Sequence, residues 1–215
     1  MRTRFIPVTR CLAFVASFVA LLLLAGCAAS RLVSQQSNPD YVGKSFKSIL
    51  VVAVTSDDLL RRNYEDRIVG LLAKRGRKGI PAYSAVGTRG QVEEAQLRQA
   101  IDKSGADGVL ITRVTSVERS TGTVDGGTIA IGVGVGPGWG GFYGFYSGVW
   151  QSVDLPSEQV IGPKWTASET RLFDATNGAL AWTGVVDTRE SDNFAAALTQ
   201  YINVIFDAMV SDRVL

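Results

Sequence analysis

The sequence predicts one α/β domain built on a mixed β-sheet, in two or three layers. Three observations carry that expectation. Ile49 to Val54 is a continuous, largely β-branched apolar run, the mark of a strand buried on both faces. An amphipathic helical stripe follows it at once, as in a β-α-β unit. Near the other end, two strand-like runs flank Ala175-Thr176-Asn177-Gly178, and Asn-Gly is a strong hairpin signal because both residues tolerate positive φ. The expected order is β-α-β-α-β, a glycine and aromatic insertion at about 121–150, then β-β-α, over residues 46–215.

The chain begins with an address. Arg2, Arg4 and Arg10 precede any acidic residue, and Cys11 to Ala25 follow with only Ser17 polar. Such a run suits a secretory signal and falls short of the roughly 18–20 apolar residues that span a bilayer. It ends in Leu24-Ala25-Gly26-Cys27, which resembles the bacterial lipobox. The resemblance implies that residues 1–26 are removed as a signal peptide. It also implies that the Cys27 thiol carries diacylglycerol and a further acyl chain such as palmitate. More than one chain gives stable anchoring. Ala28, which is not Asp, implies transit to the outer membrane, with the domain facing the periplasm. Residues 27–45, rich in Ser, Gln and Asn, read as the lipidated N-terminus and a tether.

The elements then follow in order. Ser48 opens the first strand, and Ser56, Asp57 and Asp58 offer a helix cap. Leu60, Tyr64, Ile68, Leu71 and Leu72 give the buried stripe of a helix closing at Gly76. A short strand is expected at Ile80 to Ala85, and a second helix from about Gln91 to Lys103 with Gly105 beyond its end. The third strand is expected over Gly108 to Val117. Lys164 to Asp174 and Leu180 to Asp187 form the hairpin. Ser191, Asp192 or Asn193 caps a last helix with the stripe Phe194, Leu198, Tyr201, Ile202, Ile205 and Met209.

Three stretches together resemble a broad group of bacterial envelope domains: Ile49 to Val54, Gly105-Ala106-Asp107-Gly108-Val109-Leu110-Ile111, and Arg171-Leu172-Phe173-Asp174 running to Trp182-Thr183-Gly184. The group includes the N-terminal domain of the Tol-system β-propeller protein and the curli-secretion channel lipoprotein. The resemblance spans most of residues 46–212. It implies a fold, and its motifs are core and turn residues with no catalytic position among them.

The insertion holds 11 of the 23 glycines between residues 122 and 148. Ile129, Ile131, Val133 and Val135 alternate with Ala130, Gly132, Gly134 and Gly136, a strand period, and Pro137-Gly138 reads as a turn. The aromatics Trp139, Phe142, Tyr143, Phe145, Tyr146 and Trp150 lie on the return arm of the expected hairpin. Three readings stay open. The segment folds back on its own domain, presents an aromatic surface to a partner, or enters the membrane as one hairpin of an oligomeric barrel. The six aromatics are the candidate partner contacts.

Composition excludes several function classes. The chain has no His, so a His-bearing triad and a His metal site are absent, and two Cys cannot build a zinc site. No catalytic residue, metal ligand set or cofactor is assigned, apart from the covalent lipid on Cys27. Gly136-Pro137-Gly138-Trp139-Gly140-Gly141 matches a dinucleotide fingerprint in letters, but an aromatic run follows where the fingerprint needs a helix. Lys74, Arg75, Arg77 and Lys78 sit where a helix C-terminus favours cations, or where anionic headgroups or a cell-wall polymer could be met. Of the 22 basic residues, three leave with the signal, so 19 face 20 acidic ones and nothing suggests a nucleic-acid partner. The expected function is a non-enzymatic, membrane-anchored lipoprotein that binds or scaffolds an envelope protein or cell-wall component, with homo-oligomerisation possible. The alternative is a subunit of an oligomeric outer-membrane channel or secretion assembly using residues 122–150 as its hairpin.

Overall fold

A computed structural model describes residues 30–55, 57–86, 93–119, 138–147 and 164–215. Among these, six strands form one sheet: β1 (Ser30–Ser37), β2 (Ser48–Val54), β3 (Lys78–Pro81), β4 (Gly108–Arg119), β5 (Lys164–Asp174) and β6 (Leu180–Arg189). Their spatial order is β1-β6-β5-β4-β2-β3. β2 runs parallel to β3 and β4, while β4–β5, β5–β6 and β6–β1 are antiparallel. The described helices are α1 (Asp58–Lys74), the single turn α2 (Ala82–Ala85), α3 (Glu94–Ser104), α4 (Gly138–Ser147) and α5 (Phe194–Ser211). The domain is a mixed α/β fold, as the β-branched run and the hairpin signal predict.

Strand alternation divides the core in two. Ile49, Val51, Leu110, Leu172 and Trp182 point to the face covered by α1 and α5. Leu50, Val52, Val109, Ile111 and Phe173 point to the opposite face, covered by α3 and α4. Both faces are therefore buried and the architecture has three layers, which is why β2 reads as an unbroken apolar run. α5 is long and apolar enough to cross a membrane by length and composition. Here its stripe from Ala197 to Met209 lies buried on the sheet.

Local chemistry accounts for the element boundaries. Asp57 caps α1, its Oδ1 accepting from the amides of Leu59 at 2.9 Å and Leu60 at 3.0 Å. Asn193 caps α5 by accepting from Ala196 N at 3.0 Å. The Gly105 to Gly108 motif is a corner: Gly105 ends α3 at φ +67°. Asp107 then accepts from the amides of Lys47 and Ser48, both at 2.8 Å, and so ties the entry of β2 to β4. A Cβ at Gly108 would stand 2.8 Å from the Phe46 ring, so the motif also seats that aromatic. In the β5–β6 turn, Gly178 has φ +70°.

Four expectations change. Residues expected to be tether include β1, which pairs with β6 from Ser30↔Thr188 to Ser37↔Trp182, and Tyr41 beyond it is buried. An edge strand needs only its backbone to pair, so outward Ser and Gln side chains hide it. The strand expected at Ile80 to Ala85 stops at Pro81, and Ala82 begins α2. Proline fits the helix entry and cannot donate to a ladder. Residues 138–147, expected as a hairpin arm, are the helix α4. Phe194, expected in the core stripe, is 52% exposed at the first position of α5. Cys27, Trp150 and the alternating run 129–136 lie outside the described residues, as does Ser56.

Candidate functional site

On the α1/α5 face the sheet does not fill the space between the helices. Because β2, β4 and β6 share one direction, their C-terminal ends lie at one edge, where α1 and α5 both begin. Ligand clefts in α/β sheets favour this edge. A cleft of about 510 Å³ opens there, lined by Val54, Leu60, Val114, Phe194, Ala197 and Leu198 among others. That volume falls in the range of about 300–1,000 Å³ usual for small-molecule sites.

Tyr64, Thr112 and Tyr201 at its floor belong to a chain of hydroxyl groups completed by the buried Thr170. Tyr64 Oη lies 2.5 Å from Thr112 Oγ1, Thr112 Oγ1 lies 2.7 Å from Thr170 Oγ1, and Thr170 Oγ1 lies 2.6 Å from Tyr201 Oη. The chain runs from α1 across β4 and β5 to α5. Burial pushes the Tyr64 hydroxyl well above its ordinary pKa and that of Tyr201 up to about 12. Both stay protonated at neutral pH and serve as hydrogen-bonding groups. The cleft thus offers apolar walls and a hydroxylic floor, suited to holding an apolar body by one polar end. Among the described residues no three His, Cys, Asp or Glu side chains gather as a metal site requires.

The opposite face holds a different polar cluster. Glu169 Oε1 accepts from Arg171 Nε at 2.7 Å, and Oε2 accepts from Arg113 Nη2 at 3.1 Å. All three are buried, and both guanidinium carbons sit 4.1 Å from the centroid of the Phe145 ring. Two cations with one anion are held by charge pairing and by the face of an aromatic ring. Arg113 Nε finds no hydrogen-bond partner. The group stitches α4 to the sheet.

The aromatics expected to meet a partner are mostly spent on this domain. Phe142 and Phe145 are fully buried and Tyr146 nearly so. The Phe142 and Phe173 rings meet edge to face at 5.1 Å. Trp139 meets Phe142 at 5.1 Å and lies under the Arg98 guanidinium at 4.7 Å. Tyr143 is half-buried beside Tyr146, with centroids 6.0 Å apart. The described part of the segment therefore folds back on its own sheet. In the basic cluster, Arg75 lies over the Phe206 ring and Arg77 donates to Ser45 Oγ and the Phe46 carbonyl.

The sequence reading missed the cleft. Thr112 and Thr170 come from strands 58 residues apart, and Tyr64 and Tyr201 read simply as core stripe. The available signal was a threonine at the same facing position in each of two paired strands, Thr112↔Thr170. It also missed Glu65, whose helical position, one past Tyr64, carries no pattern of its own.

No protein-family model matches the sequence, and no curated protein matches it. Among solved structures, the chain is similar to the PelC dodecamer from Paraburkholderia phytofirmans, at 15% identity and TM-score 0.41, over 82% of this chain and 94% of that one. It is also similar to lipoprotein GNA1162 from Neisseria meningitidis, at 18% identity and TM-score 0.36, over 76% of this chain and 98% of that one. At such scores neither likeness says what this chain does.

Proposed function

We propose that this chain is a lipid-anchored, non-enzymatic protein of the bacterial outer membrane that binds another envelope component in the cleft between α1 and α5. The cleft carries the reading. It combines usable volume, apolar walls and hydroxyl groups that stay protonated, and it lies where α/β sheets bind ligands. The stretch ending in Cys27, which resembles a lipobox, supports the location, and a domain facing the periplasm is part of the same proposal. Among the described residues β1 is an edge strand with its outer backbone groups unpaired by β6, which offers a route to a homo-oligomer.

A photocrosslinking residue at Phe194 in intact cells tests the cleft. A defined envelope component captured from position 194 and not from Val42 supports the reading; equal or no capture at both sinks it. Separately, Cys27→Ala should abolish fatty-acid labelling and membrane fractionation.

The alternative reading, a channel subunit, needs residues 122–150 as a membrane hairpin. Its return arm is largely the helix α4, with Phe142 and Phe145 in the core. This observation favours the binding reading, and conductance measurements on reconstituted protein separate the two.

A further inference from the structure

The chain enters the sheet at Ser30, beside the cleft. Ser30 Oγ lies 3.1 Å from Thr188 Oγ1, and Thr188 and Arg189 line the cleft. Only Ala28 and Ala29 separate Ser30 from Cys27. Three residue steps reach about 10 Å when fully extended. The polar layer on each side of a bilayer is itself roughly 5–8 Å thick. A lipid on Cys27 therefore holds this end of the domain within about one headgroup layer of the hydrocarbon.

The exposed apolar side chains are distributed to match. Leu59 is 70% exposed, Phe194 52% and Val114 46%. Leu59 and Phe194 occupy the first turns of α1 and α5, and Val114 lies in the cleft wall. Leu32 and Val33, also exposed, follow Ser30 by two and three residues on β1. The other large exposed apolar residues among those described are Val42 and Val210, which lie toward the far end of the sheet. Both signs of charge rim the near end, with Arg31 paired to Asp187 and Arg61 to Asp58. Apolar tips within a mixed charged rim suit the headgroup–acyl boundary, where such groups bury about 5–10 Å deep.

We propose that the cleft end of the domain, through Leu59, Val114 and Phe194, rests on the bilayer that holds Cys27, so that the cleft opens toward lipid. This rests on the lipid-anchor reading of Cys27. A component entering the cleft then arrives from the membrane side.

The test uses the full-length protein, processed in cells, purified in detergent and reconstituted into phosphatidylethanolamine–phosphatidylglycerol vesicles. Leu59→Cys, Phe194→Cys, Val42→Cys and Val210→Cys are made singly and labelled with a nitroxide. All four positions are exposed, so the core is untouched, and circular dichroism checks each variant. Collision rates with oxygen, which concentrates in lipid, are compared with those of a water-soluble nickel chelate. Labels at 59 and 194 are expected to favour oxygen several-fold relative to labels at 42 and 210. Equal ratios at all four positions, with the protein floating with the vesicles, would overturn the docking alone. If instead the unsubstituted protein takes up label at Cys27 and does not float, the anchor reading fails, and the docking fails with it.

Discussion

Glu65 makes the stability of this fold depend on pH in a direction opposite to that of most carboxylates. Its side chain is fully buried in α1, where Oε1 accepts from Ala53 N at 3.1 Å and Oε2 from Tyr83 N at 3.0 Å. Burial pushes its pKa up to about 7 from an ordinary 4.5, against the opposing pull of those two amides and of Arg61. The folded state thus holds the proton more tightly than the unfolded chain does. The resulting stabilisation is complete below about pH 4.5 and is lost as pH rises through 7. At about 1.4 kcal/mol per unit, a gap of roughly 2.5 units amounts to about 3 kcal/mol across that window. Glu65→Gln removes the titration and keeps one carbonyl acceptor. It loses the second amide bond at a pH-independent cost of about 1–2 kcal/mol. Urea unfolding of both proteins in mild detergent, followed by tryptophan fluorescence from pH 4.5 to 8.5, gives the difference directly, because other titrations cancel between them. The native protein should lead clearly at pH 5 and lose that lead by pH 8. Parallel curves would refute the reasoning.

Phe145→Ala should cost about 3–5 kcal/mol in the same urea assay, because it opens a cavity and strips two guanidiniums of their shared ring; a loss under 1 kcal/mol would mean that α4 is not seated as described. Glu169→Gln leaves Arg113 and Arg171 without a counter-charge and should destabilise by about 3–5 kcal/mol, so an unchanged unfolding midpoint would contradict the buried trio. Gly178→Ala meets both a left-handed φ and a Cβ position 2.6 Å from Trp139 N. It should lower Tm measurably, by about 1–3 kcal/mol of stability, whereas Gly140→Ala, with open space around it, should not.

The sequence signals succeeded where one local cause decides an element. The run Ile49 to Val54 is buried on both faces, Asp57 caps a helix, and Asn177-Gly178 turns a hairpin, each independent of distant chain. They failed where pairing or packing comes from elsewhere. β1 is polar because its side chains face out, so composition likened it to a tether. In α4, Trp139, Phe142, Phe145 and Tyr146 stand at three-to-four spacing, a helical face visible in hindsight. Gly138, Gly140, Gly141 and Gly144 lower the helix propensity and masked it. Docking on Phe173 and on the guanidiniums of Arg113 and Arg171 compensates for that deficit. The cleft was least legible, because its floor is assembled from two helices and two strands that no single stretch of sequence unites.

That floor has a property of its own. Four hydroxyl groups are linked from Tyr64 through Thr112 and Thr170 to Tyr201, and Tyr201 also interacts with the hydroxyls of Tyr64 and Thr112, so the four form one compact cluster. Every member can donate or accept, and the whole row can therefore point either way. A change of polarity within that cluster moves only protons, so the polar side of the cleft can adjust without displacing a heavy atom.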